Sequence, residues 1–104
     1  MPDPAIATAL LVLAGLQTGG PPPERQGELL HRLKHDCGSC HGMTLKGGLG
    51  PSLRPEALAG KDEAGLADIV LHGVPGTPMP PWGFEISAAE AAWLVVRLKQ
   101  GVTP

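Results

Sequence analysis

Hydrophobic residues are distributed along this chain in two ways. Ala5 to Leu16 is a 12-residue apolar run, whereas beyond Pro21 to Pro23 apolar positions return at helical spacing. Leu29, Leu30 and Leu33 fall on one stripe with Arg25, Glu28, Arg32 and Lys34 on the other side, which predicts a helix running straight into Cys37 to His41. Gly42 to Pro55 is rich in Gly and Pro and carries no helical period. Leu66, Ile69 and Val70 share a face of a short helix from about Asp62 to Leu71. The stretch GVPGTPMPPWG, Gly73 to Gly83, excludes regular structure, because its prolines lack donors and fix φ. Ser87 and Glu90 form a capping-box pattern that opens a helix to about Lys99, with Ala91, Leu94, Val95 and Leu98 inward and Gly101 as the stop. Strand alternation is absent. The pattern predicts an all-α domain of three or more helices joined by long loops.

Composition sharpens this picture. At 104 residues the chain holds one domain, near the size at which an apolar core alone becomes marginal and a cofactor or crosslink helps. Fifteen glycines and 12 prolines are set against one Phe, two Trp and no Tyr, so something other than aromatic side chains must hold the loops. A net charge of -2 with no basic run argues against nucleic acid or an anionic membrane as partner. The apolar run has the length of a signal h-region and is short for a bilayer span, so residues 1–20 read as an export segment, 21–23 as a Pro spacer and 24–104 as the domain, with no membrane insertion after processing. MPDP lacks the expected positive charge, which leaves an extra N-terminal helix on a cytoplasmic protein as the alternative.

Both cysteines lie in CGSCHG, Cys37 to Gly42. Three chemistries use such a pair: a redox disulfide, half of a zinc site, and covalent haem attachment. A thioredoxin-type pair needs a βαβ setting, for which no strands are predicted. A structural zinc site needs four ligands, and neither a second Cys pair nor a suitably spaced His pair follows. His31 and His35, four apart on the first helix, could chelate a metal, although beside Arg32 and Lys34 they read better as solvated side chains. C-x-x-C-H is the signature of c-type haem attachment, with both thiols as thioethers and the adjoining His41 aimed at the iron. Met79 supplies the context. Met43 is too near His41 in sequence to reach the opposite haem face, whereas Met79 lies 38 residues downstream in T-P-M-P-P, where prolines stiffen the loop around a soft thioether.

With these residues in order, the chain resembles the class I c-type cytochromes over about residues 24–100. C-G-S-C-H-G, G-L-G-P-S-L (Gly48 to Leu53), T-P-M-P-P-W and the terminal S-A-A-E helix all occur in family order. The order C-H-G-M-T-L-K-G-G-L-G-P with H-G-V-P-G-T-P-M-P-P-W is similar, more narrowly, to the small cytochromes c55x found with denitrification nitrite reductases. The resemblance implies a class I cytochrome c fold of three to five helices around one covalently bound haem c. It implies His41 and Met79 as axial ligands, and Pro51 as the carbonyl that accepts from the His41 Nδ1 proton. It also implies first and last helices crossing near Leu30, Leu33, Trp93 and Leu94; Leu33, in place of a larger family aromatic, implies a looser contact.

A His/Met iron has no open position, so the chain reads as a monomeric periplasmic electron carrier and not an enzyme. Its haem would be buried among Leu45, Leu49, Leu53, Leu66, Ile69 and Val70, with Trp82 either donating to a propionate or simply packing. Arg54 and Lys46 read as solvated. The partner implied is nitrite reductase or a protein that matures its modified haem. The competing reading is a haem-based gas sensor or peroxidase-like enzyme with a displaceable Met79.

Overall fold

The computed structural model describes residues 20–102; the expected export segment lies outside the described residues, save for Gly20. Helix α1, Pro23–Arg32, starts on a proline in its first turn, where the missing N–H costs nothing. It continues without a break through a π-helical turn, Leu33–Cys37, into α2, Gly38–His41. A short α3, Pro55–Leu58, and α4, Glu63–His72, follow, and α5, Ala88–Gln100, closes the chain. The described residues contain no strand. No helix among them is long and apolar enough to cross a membrane. Among the described residues, the π-helical turn and α3 depart from the pattern: Pro55, expected to end the Gly- and Pro-rich loop, instead opens α3.

The ends of the helices follow local chemistry. Asp62 caps α4 by accepting from the Gly65 N–H at 2.9 Å. At α5 the capping box is complete: the Ser87 hydroxyl accepts from the Glu90 N–H at 3.1 Å and the Glu90 carboxylate accepts from the Ser87 N–H at 2.9 Å. Gly101 ends α5 in the left-handed region.

The core gathers one face of each long helix: Leu29 and Leu33 from α1 and its extension, Ala67 from α4, and Ala91, Leu94, Val95 and Leu98 from α5. Leu45, Leu58 and Ile86 complete it. Leu33 is 1% exposed and belongs to the same buried cluster as Leu94, Val95 and Leu98. Trp93 and Leu30 pack on the rim of this cluster.

Arg25 lies on the side of α1 away from the leucine stripe and is only partly exposed. Its Nε lies 2.6 Å from Glu90 Oε2 and its Nη2 donates to the Glu85 carbonyl at 2.9 Å. Arg32, on the same side, pairs with Glu85 at 2.5 Å. The polar side of α1 therefore faces the entry to α5, a contact that the stripe of one helix taken alone cannot reveal.

Candidate haem-binding site

The site is built on the end of the first helical rod. The π-helical turn carries one extra residue per hydrogen-bonded ring, closed by the Gly38 N–H on the Leu33 carbonyl. This wider turn makes a step of four residues closer to a full rotation. Leu33 and Cys37 thus both stay on the core side while Lys34 and His35 remain exposed. Cys37 and Cys40 are free thiols, both half-buried. Burial, reinforced by the neighbouring Asp36 carboxylate, pushes the Cys37 thiol up to about 11.

His41 follows at the last position of α2. Its Nδ1 lies 2.7 Å from the Pro51 carbonyl oxygen. A carbonyl only accepts, so Nδ1 carries the hydrogen and Nε2 is left with its lone pair for a metal. The loop after His41 is folded back to make this contact. Gly47 N–H donates to the His41 carbonyl at 2.9 Å and Gly50 N–H to the Cys40 carbonyl at 2.7 Å. Gly50 runs against the imidazole itself: a Cβ there would stand 2.6 Å from His41 Cε1. The G-G-L-G run is therefore a cradle for the ring.

Leu45 anchors the same loop. It holds φ +62° with its side chain fully buried, and its carbonyl accepts from Leu53 N–H at 2.9 Å and Ser52 Oγ at 3.2 Å. No periodicity signals such a residue. Met79, half-buried, sits in the loop after α4, with Trp82 tied back through its N–H to the Val70 carbonyl at 3.0 Å and its ring packed on the core. Of the apolar residues expected around a cofactor, Leu45 is buried and Leu53, Leu66 and Val70 are partly buried, while Leu49 and Ile69 are exposed. Lys46 is exposed; Arg54 instead reaches the Thr44 carbonyl at 3.2 Å and Glu56 at 3.7 Å. His31 and His35 are exposed with ring centroids 4.2 Å apart, and no cluster of three or more metal ligands occurs among the described residues.

This donor set fits a covalently held haem: two unpaired thiols one turn apart, then an imidazole whose orientation and tautomer are fixed by a carbonyl. Residues 23–96 match the family described as cytochrome c oxidase, cbb3-type, subunit III. Over 89 residues the chain is 54% identical to cytochrome c55X of Pseudomonas aeruginosa, spanning 86% of this chain and 75% of that protein. The chain belongs to the cytochrome c55X family. It is a small c-type cytochrome, an electron carrier of denitrification with a covalently bound haem c. The solved c-type cytochrome NirC has the same fold as this chain, with a TM-score of 0.79, 55% identity, and coverage of 81% of this chain and 100% of that one. A dihydro-heme d1 dehydrogenase of Pseudomonas aeruginosa is 38% identical over 95 residues, which span 91% of this chain and 18% of that larger protein.

Proposed function

We propose that Cys37 and Cys40 form the thioethers, that His41 Nε2 and the Met79 thioether would hold the haem iron, and that the chain works in the periplasm as a one-electron carrier rather than an enzyme. The observation that carries this reading is the His41–Pro51 hydrogen bond, one turn beyond two free thiols. Bound haem supplies the reversible one-electron change at iron. The protein's part is to hold both ligands still, so that little rearranges on transfer. His41 is held by Pro51 and Gly50, and the Nδ1–H···O bond raises the donor strength of Nε2. A Met79 thioether on the iron would raise the potential relative to two nitrogens, and the buried Leu45 with the partly buried Leu53, Leu66 and Val70 would supply apolar surroundings. Thioether attachment takes place on exported chains, which is the role assigned to residues 1–20.

As partner we propose the d1-haem system of nitrite reduction, either the reductase or an enzyme that matures its cofactor. The similarity to one segment of a dihydro-heme d1 dehydrogenase supports this, because there a domain of this kind is part of the catalytic chain. Removing two hydrogens from a dihydro-haem releases two electrons and two protons. A monohaem carrier accepts the electrons singly, so two molecules serve each turnover.

Acid-acetone extraction tests the cofactor attachment. Haem should stay with the polypeptide, and the reduced pyridine complex should show the spectrum of two saturated side chains. Extractable haem, or Cys37→Ala and Cys40→Ala variants that keep that spectrum, would overturn the assignment.

A further inference from the structure

The segment carrying Met79 rests on a backbone contact that only glycine permits. Gly73 ends α4 with φ +68°. A Cβ at this position would stand 2.7 Å from the Met79 carbonyl oxygen and 2.8 Å from both Pro80 C and Pro81 N. All three are backbone atoms, so none can turn aside as the end of a side chain would. Next to this contact, Val74 N–H donates to the Met79 carbonyl at 3.2 Å, closing the loop from Val74 to Met79 on itself.

The interior of the closed loop is equally specified. Thr77 N–H donates to the Val74 carbonyl at 3.1 Å, with Pro75 second and Gly76 third at φ +79°, the residue pattern of a type II turn. The Thr77 hydroxyl then donates to the same Val74 carbonyl at 2.7 Å and accepts from Met79 N–H at 3.3 Å. Both backbone polar groups of Met79 are thus committed, one to Thr77 and one to Val74. Pro78 and Pro80 restrict the local dihedrals, while the Trp82 and Gly83 N–H groups tie the end of the loop to the Val70 and Leu71 carbonyls of α4, each at 3.0 Å. Gly73 sets how closely residues 79–81 can approach the end of α4.

We propose that Gly73 and Thr77 are positioning residues for Met79: the close approach of Gly73 to residues 79–81 and the Thr77 hydroxyl together set where the thioether is presented and keep the sixth position closed to exogenous ligands. This rests on the reading of Met79 as the sixth ligand. A thioether is a neutral, weak donor, so its occupancy of iron depends on how little order must be imposed when it binds. A loop already fixed at both ends of Met79 meets that requirement, and a loop lifted off α4 does not.

The test uses the holoprotein with five substitutions, read by the red sulfur-to-iron charge-transfer band of the ferric form, carbon monoxide binding by the ferrous form, and thermal unfolding. Met79→Ala should lose the band and bind carbon monoxide; if it keeps the band, the ligand reading itself fails and the inference falls with it. Gly73→Ala should behave as Met79→Ala does. Gly76→Ala is the matched control, since it has a similar positive φ in the same loop but its Cβ would meet nothing within 4 Å. It should unfold at lower temperature yet keep the band. Thr77→Val should raise the fraction of carbon monoxide-binding molecules by roughly 2- to 10-fold, the scale of one lost hydrogen bond, and Thr77→Ser should restore it. Should Gly73→Ala fail to fold, the Thr77 pair still decides. With Met79 ligation established, an intact band in folded Gly73→Ala, equal loss of the band in Gly76→Ala, or a Thr77→Val protein that matches the wild type would overturn the proposal.

Discussion

Arg25 Nε lies 2.6 Å from Glu90 Oε2, and this pair joins the first turn of α1 to the first turn of α5. The Arg25 hydrogen bond, followed by the Ser87 N–H, holds the Glu90 carboxyl at about 2, well below its ordinary 4.5. The same carboxylate, with Glu28 behind it, holds the Arg25 guanidinium more firmly protonated than usual. A carboxyl whose folded value is depressed adds stability that is present above 4.5 and is lost as pH falls from there toward 2. Glu90→Gln should therefore lower the melting temperature at pH 7 and flatten the acid limb between 4.5 and 2. Thermal unfolding across that range checks it, and an unchanged acid limb would show that the pair contributes nothing in solution.

Ser87 separates the cap from the ion pair. Its hydroxyl accepts from Glu90 N–H and has no part in the Arg25 contact. Ser87→Ala should cost about 1 kcal/mol, the usual worth of an N-cap, and leave the acid limb of Glu90 in place. Chemical denaturation at two pH values distinguishes the two effects.

Leu45 is a third point of leverage. A bulky residue at φ +62° pays about 1–2 kcal/mol of local strain, which its complete burial offsets. Leu45→Ala should cost roughly 2–5 kcal/mol. It should also loosen the loop that carries Pro51, so that the His41 ring loses its fixed tautomer and the potential shifts. Leu49→Ala, at an exposed position in the same loop, should change stability little. Equal losses at the two positions would contradict this account.

Before haem attachment, the Cys37 thiol should react slowly. Because burial and Asp36 push Cys37 up to about 11, its alkylation by iodoacetamide in folded apoprotein should remain slow at pH 8 and accelerate as pH approaches 11. Peptide mapping after timed alkylation reads this directly. Asp36→Asn should shift the onset downward, though by less than exposing the thiol in denaturant, since burial is the larger cause.

Docking should depend more on apolar contact than on charge. Lys46 is the one charged residue in the Gly42 to Gly50 and Gly76 to Gly83 loops, while Leu49 is 75% exposed and Met43 55%. Electron transfer to the partner should change less than about tenfold between low and physiological salt, because long-range steering needs a field these loops do not carry. Leu49→Lys should slow transfer more than Lys46→Glu. Trp82 is the poorer probe because its ring also packs on the core.

Features that depend on neighbours in the chain can be read from the residues alone. C-x-x-C-H named the cofactor, since thioether chemistry needs those residues side by side. The Ser87–Glu90 cap, the Ala91, Leu94, Val95 and Leu98 face and the Asp62 to Leu71 helix were legible because capping and periodicity act within a few residues. Tertiary structure alone decided where distant segments press together. It brought Arg25 onto Glu90, 65 positions away, and buried Leu45 in a left-handed conformation. It also set Gly50 against the His41 ring and Gly73 against the backbone of Met79, Pro80 and Pro81. A glycine in sequence announces only freedom. Which glycine must stay bare is settled by the other chain segment that comes within van der Waals distance of it, and that approach exists only once the helices have packed.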